Sequence, residues 1–173
     1  MRDEDGLLLQ YGPFELTRDG PMGAVTALTD GIFHVQLDYD GLGRVTSRLY
    51  RLQETELYGC EWVYSAAGFV VEQSETLDAT TLATRYELDP DGLLTGVVTE
   101  EVEAETYTYD LNGNRLTSGN SLAAYDGRDC LTQREGLVYE FDANGCLSRR
   151  GADEFAYGLR GELVRATVGG RAI

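Results

Sequence analysis

The sequence predicts an all-β fold of repeated antiparallel β-hairpins that follow one another as a meander. Three observations predict it. A seven-residue frame recurs along the 173-residue chain: aromatic or Leu, Asp, two variable residues, Gly, one variable residue, apolar. Between copies, apolar and polar residues alternate with period two, the signature of half-buried strands. The composition, with 21 Gly, 11 Tyr and only 3 Pro, suits many short strands joined by tight turns.

The copies fix the organisation. Tyr39–Val45 fits the frame, Tyr64–Val70 fits it with Ser in the Asp place, and Leu88–Leu94 fits again. Tyr109–Leu116 carries one extra residue before its Leu, and Tyr125–Leu131 places Asp129 where Gly is expected. Phe141–Leu147 and Tyr157–Leu163 complete the series. The Gly-equivalent positions are 43, 68, 92, 113, 129, 145 and 161, so the spacing falls from 25 and 24 to 21 and then holds at 16. A constant spacing is the mark of a repeat architecture. Degenerate units precede Phe33, around Asp3–Leu8 and Phe14–Val25. Residues 1–173 therefore read as one repetitive region of about seven to nine hairpins.

Each unit follows from local chemistry. Phe33, Val35, Leu37 and Tyr39 alternate with His34, Gln36, Asp38 and Asp40. Asp40-Gly41-Leu42-Gly43 then suits a type I turn closed by a left-handed Gly. The Asp carboxylate accepts from amides of its own turn, and Gly43 takes positive φ without strain. Pairing Asp40 with Arg44 predicts the register Tyr39–Val45, Leu37–Ser47 and Val35–Leu49. That register puts Asp38, Asp40, Arg44 and Arg48 on one polar face, with opposite charges adjacent. In the run to Tyr109, Val102 and Ala104 have the wrong parity for Tyr107 and Tyr109, so a bulge or strand end near Glu105 is expected. Residues 71–84 read as long strands with a connection, their Thr content disfavouring a helix.

The repeat is defined by Tyr39, Asp40, Gly43 and Arg44 in one copy and by Tyr109, Asp110, Gly113 and Arg115 in another. Tyr125, Asp126, Phe141, Asp142, Gly145, Tyr157 and Gly161 define the rest. These positions serve turns and strands, and no catalytic, cofactor-binding or metal-binding role is expected of them.

Composition narrows the function classes. The net charge is −16, and all 14 basic residues are Arg. Such a field repels phosphate backbones, so nucleic acid is not an expected partner. The acidic surface is either simply solvated or a face for a basic protein or for Ca²⁺. Three cysteines, Cys60, Cys130 and Cys146, are too few for a disulfide scaffold. Cys130 and Cys146 hold equivalent places in successive units, about 9.5 Å apart across an intervening strand. That exceeds the roughly 7 Å limit for a disulfide. No signal peptide or apolar run long enough for a bilayer helix is visible, so no membrane contact by this segment is expected.

The lone His34 lies on a polar strand face, and no nucleophile elbow accompanies it. Asp110, Asn112 and Asn114 share the opening spacing of an EF-hand. Arg115 and Ser121 then stand where that loop needs Gly and Glu. Nothing singles out two of the 30 acidic residues as an acid/base pair, so a hydrolase is the weakest reading. Consecutive hairpins also leave open sheet edges, and the chain by itself is expected to self-associate.

The element Tyr-Asp-x-x-Gly-Arg-Val/Leu-Thr, clearest in Tyr39–Thr46 and Tyr109–Thr117, resembles the YD repeat of bacterial Rhs and Tc-toxin shells and animal teneurins. Tyr107–Asn120 and Arg150–Ala166 resemble teneurins in particular. The resemblance implies a spiral sheet forming part of a larger hollow β-shell. It implies a non-enzymatic structural and interaction module outside the cell, acting in adhesion and neuronal wiring. Its implied partners are latrophilin-type receptors and other teneurin chains. The alternative implied is a segment of a bacterial shell that encapsulates a toxin. No latrophilin-contact residues carry over.

Overall fold

The computed structural model describes residues 1–100 and 102–172. The chain packs as two units, Met1–Ala104 and Glu105–Ile173.

The first unit is an antiparallel meander. Its strands are β1 (Gln10–Tyr11), β2 (Phe14–Thr17), β3 (Ala27–Thr29), β4 (Phe33–Tyr39) and β5 (Val45–Leu52). They continue as β6 (Thr55–Tyr64), β7 (Val70–Leu77), β8 (Thr80–Leu88) and β9 (Leu94–Thr99). Each pairs with its successor. A 3-10 turn at Pro21–Gly23 stands between β2 and β3. Residues 71–84 are strand on both sides of Asp78-Ala79, a two-residue connection with both residues at positive φ (48° and 61°). That backbone matches the twist of the flanking strands.

In the second unit, β10 (Val102–Tyr109), which begins just before the unit boundary, leads to β11 (Arg115–Ser118), β12 (Ser121–Tyr125), β13 (Leu131–Arg134) and β14 (Leu137–Phe141). Then come β15 (Leu147–Arg150), β16 (Asp153–Tyr157), β17 (Leu163–Val168) and β18 (Arg171–Ala172). They too pair in sequence order, all antiparallel. Asp-led turns alternate with two-residue turns. Glu135-Gly136 is one of the latter, with both residues at positive φ (51° and 79°).

The register departs from expectation in a regular way. Tyr39 pairs with Val45 as predicted, but Asp38 then pairs with Ser47, leaving Thr46 unmatched. Leu37 therefore faces Arg48 and Val35 faces Tyr50, one residue off the expected pairing. The same extra residue follows every Asp-type turn: Val71, Thr95, Leu116, Thr132, Ser148 and Val164. It is a β-bulge, which opposes two residues to one and increases local twist. Where the extra residue carries a hydroxyl, that group can donate across the break. Thr132 donates to the Ala124 carbonyl and Ser148 to the Glu140 carbonyl, both at 3.0 Å.

The bulge moves Arg48 off the polar face. Its guanidinium lies over the rings of Tyr50 (5.4 Å) and Trp62 (5.6 Å). Asp38 instead accepts from the Ser47 hydroxyl at 2.6 Å. The parity conflict before Tyr107 is not resolved by a strand end. Strand β10 runs through Glu105 unbroken, and Val102 and Ala104 are exposed.

Each unit is a single sheet layer. Among the described residues the only buried side chains are Cys60 (2% exposed) and Ala166 (7%), one in each unit, and Gly96 of β9 is buried as well. Rows of half-buried side chains take the place of a core. In the first unit the rings of Phe33, Tyr50 and Tyr58 follow one another across β4, β5 and β6 at 6.0 Å centroid spacings. Such tilted ring contacts add to area burial.

Candidate functional site

The chain's repeated chemistry is gathered on the edges formed by the Asp-type turns. Each turn is built the same way. The Asp40 amide donates to the Arg44 carbonyl (2.9 Å) and the Gly43 amide to the Asp40 carbonyl (3.0 Å). One Asp40 carboxylate oxygen accepts from the amides of Leu42 and Arg44, at 2.9 and 3.0 Å. Asp89, Asp110, Asp126 and Asp142 repeat this pattern on the residues two and four positions later. Ser65 does part of the same work, accepting from the Phe69 amide at 3.2 Å. In the last turn Gly158 leads, and the Glu162 carboxylate accepts from the Arg160 amide at 3.0 Å. Gly43, Gly113, Gly145 and Gly161 all lie near φ +80°, where any other residue is strained.

Donors aimed at a carboxylate stabilise its charged form. The Arg44 amide, then its guanidinium, holds Asp40 below the usual carboxylate range. Asp110 is lowered chiefly by the Asn114 side-chain amide, and Asp126 by the backbone amides of Arg128 and Cys130. These carboxylates are spent on their own turns.

Neighbouring hairpins are tied by contacts that the repeat frame did not announce. The Tyr39 hydroxyl donates to the Val25 carbonyl (2.7 Å), Tyr64 to Val45 (2.8 Å) and Tyr125 to Arg115 (3.2 Å). Each acceptor is the first residue beyond the bonded closing residue of the preceding turn, which explains why Tyr and not Phe opens those copies. In the first unit Arg44 closes on its own Asp40 at 2.6 Å and lies 4.4 Å over the Tyr64 ring of the next hairpin. The Phe69 ring packs against Gly92 so closely that an added Cβ there would sit 2.5 Å from it.

In the second unit, polar bonds do this job. Asn114, the fourth residue after Asp110, takes the place that Arg44 has after Asp40, and its side chain donates to Asp110 at 2.9 Å. Arg115 falls one place later, pairs with Tyr109 and lies 5.5 Å from the Tyr107 ring. Asp129, at φ 61° in a Gly position, accepts from the amides of Asn112 (2.8 Å) and Asn114 (2.7 Å) in the preceding turn. Strain at a non-Gly left-handed residue, about 1 kcal/mol, is thereby offset. Phe141 and Tyr157 open their turns opposite Leu147 and Leu163.

Little else converges. His34 and Arg51 border a depression of about 480 Å³ over β3–β5, and Leu122 and Gln133 border one of about 620 Å³ over β11–β13. Cys60, Cys130 and Cys146 are free thiols. Among the described residues no three His, Cys, Asp or Glu side chains are grouped to hold a metal ion. No helix among them is long and apolar enough to cross a membrane.

The turn edge thus holds hairpins to one another, and comparison with known proteins gives the family. The Teneurin YD-shell family model matches residues 2–172. Teneurin-4 of Mus musculus is 34% identical over 136 residues, 74% of this chain and 5% of its own length. Teneurin-1 of Mus musculus is 30% identical over 172 residues, 95% of this chain and 6% of its own length. The chain therefore spans about a twentieth of the length of these relatives. The crystal structure of TcdB2-TccC3-Cdc42 superposes on 91% of this chain and 12% of its own, with a TM-score of 0.49 at 17% identity. A repeat of bulged hairpins tied turn to turn, matched end to end by that family model, makes this chain a member of the teneurin YD-shell family.

Proposed function

We propose that this chain is a non-enzymatic wall segment of an extracellular shell in a cell-adhesion and neuronal-wiring protein. One observation carries the reading: the residues of the repeat are consumed in holding hairpins to one another. Asp40 and Asp110 serve their turns, and Tyr39, Tyr64 and Tyr125 bind the preceding hairpin. A sheet built this way presents its faces without doing chemistry on them. Latrophilin-type receptors and further teneurin chains are the partners the reading implies.

The test is made on the whole protein displayed on cells. Its adhesion to cells bearing a latrophilin-type receptor, and to cells bearing itself, is scored before and after exchange of this segment for hairpins of a bacterial shell. Loss of adhesion with surface display intact supports the reading. Adhesion unchanged in both pairings sinks it.

A further inference from the structure

Two Asn-Gly pairs occupy the same place in sister turns of the second unit. Asn112-Gly113 lies in the turn led by Asp110, and Asn144-Gly145 in the turn led by Asp142. Their backbones are alike. Gly113 and Gly145 have φ of 83° and 80°, and their amides donate to the leading Asp carbonyl at 3.1 and 3.0 Å. Both asparagines are exposed. The difference is in the side chains. The Asn112 amide donates to the Asp129 carboxylate of the next turn at 2.8 Å. The Asn144 backbone amide donates to Asp142, but its side-chain amide has no hydrogen-bond partner among the described residues.

We propose that Asn144 is a site of spontaneous deamidation and isoaspartate formation, and that Asp129 protects Asn112 from the same reaction. The Gly145 backbone nitrogen, having given its proton to solvent base, attacks Asn144 Cγ. A C–N bond forms, the bond from Cγ to Nδ2 breaks, and ammonia leaves from a five-membered succinimide. Water then opens the ring. Attack at the side-chain carbonyl restores the ordinary chain with Asp at 144. Attack at the main-chain carbonyl routes the chain through Cβ and Cγ as isoaspartate. The net change is one water consumed and one ammonia released.

A following Gly favours the reaction because no Cβ crowds the attacking nitrogen. Release of the Gly amide from the leading Asp carbonyl is required equally at both sites, so what differs is rotation of the Asn side chain over that nitrogen. At Asn112 this rotation must break a hydrogen bond to a carboxylate, and at Asn144 it breaks none. The product adds a negative charge to the turn, and its isoaspartyl form lengthens a loop whose closure depends on a fixed count of residues.

The test is peptide mapping by mass spectrometry of the folded chain, aged at physiological pH and temperature. Amide-to-acid conversion is counted separately at the two sites, and isoaspartate is resolved by chromatography. Isomerisation at the Asp-Gly pairs does not interfere, because it leaves mass unchanged. Conversion at Asn144 is expected to outrun Asn112 by at least about tenfold, the worth of one hydrogen bond to a charged acceptor. In denaturant the two rates are expected to converge. Asp129→Gly, which restores the common residue of that turn position, is expected to raise Asn112 to the Asn144 rate without altering Asn144. Asp129→Asn, a weaker acceptor of the same shape, is expected to fall between. Equal rates in the folded wild-type chain overturn the proposal. So does an Asn112 rate that ignores both variants, or that rises only together with Asn144.

Discussion

Strands β4–β8 of the first unit run seven to ten residues, whereas β11–β17 of the second run four to six. The turns at their ends keep the same hydrogen bonds in both. Neighbouring turns nonetheless touch in different ways. Arg44 on Tyr64 and Phe69 on Gly92 join hairpins in the first unit, and Asn112 and Asn114 on Asp129 do so in the second. The turn is thus a fixed part, and arm length is free to vary. Long arms carry ring rows such as Phe33–Tyr50–Tyr58 that hold hairpins together through their faces. Short arms have fewer ladder bonds and rely more on polar ties at the turn.

Acid should have the largest effect, because turns in both units are affected at once: that of Asp40 in the first and those of Asp110 and Asp126 in the second. The folded pKa values of Asp40, Asp110 and Asp126 lie below their ordinary values. Stability from a depressed carboxylate is complete above its unfolded value, about pH 4, and is lost as pH falls through the folded value. Thermal unfolding followed by circular dichroism should show a flat melting temperature above that pH and a steep fall below it. A flat profile down to about pH 2 would remove the carboxylates from the account.

A pair of glycine substitutions separates the units next. At Gly92→Ala the new Cβ meets the Phe69 ring at 2.5 Å and the backbone is strained as well. A loss of about 2–3 kcal/mol is expected. Gly113→Ala, at nearly the same φ with nothing within 4 Å, should cost about 1 kcal/mol from strain alone. Urea titration of the two variants measures the difference, and equal losses would erase the contrast between the units.

Tyr64→Phe keeps the ring under Arg44 and removes only the bond to the Val45 carbonyl, so about 1 kcal/mol is expected by the same titration. A neutral result would show that the ring contact alone ties these hairpins. Asp129→Gly is the smallest: relief of left-handed strain against loss of two amide bonds should leave stability within about 0.5 kcal/mol. A larger loss would make the polar tie stronger than the apolar one.

The Asp-x-x-Gly turns were readable because Asp and Gly each answer a local demand of the same few residues. The bulge was not, since Thr46 and Ser148 look like any strand residue and only the partner strand reveals the skipped pairing. One skipped residue sufficed to carry Arg48 from the expected polar face to the aromatic one. Alignment by residue type likewise favoured Arg115 over Asn114, although Asn114 is the residue that reaches Asp110. The two-residue turns at Asp78-Ala79 and Glu135-Gly136 lack a shared signature, so the second set of turns went unseen. The hydroxyls of Tyr39, Tyr64 and Tyr125 left a trace, in that most copies open with Tyr and one with Phe141. Their acceptors are backbone carbonyls, which leave no mark on a sequence.

The three tyrosine bonds also have a mechanical meaning. A meander pulled apart across its strands gives way by peeling, one ladder bond after another, because the bonds are loaded in turn and not together. The bonds from Tyr39, Tyr64 and Tyr125 all sit at the Asp-turn end of their hairpins, each fastening a strand to the hairpin before it. They act as rivets along the Asp-turn margin of each unit. Under tension the hairpins would swing open about that margin like pages about a spine, parting first where the two-residue turns lie.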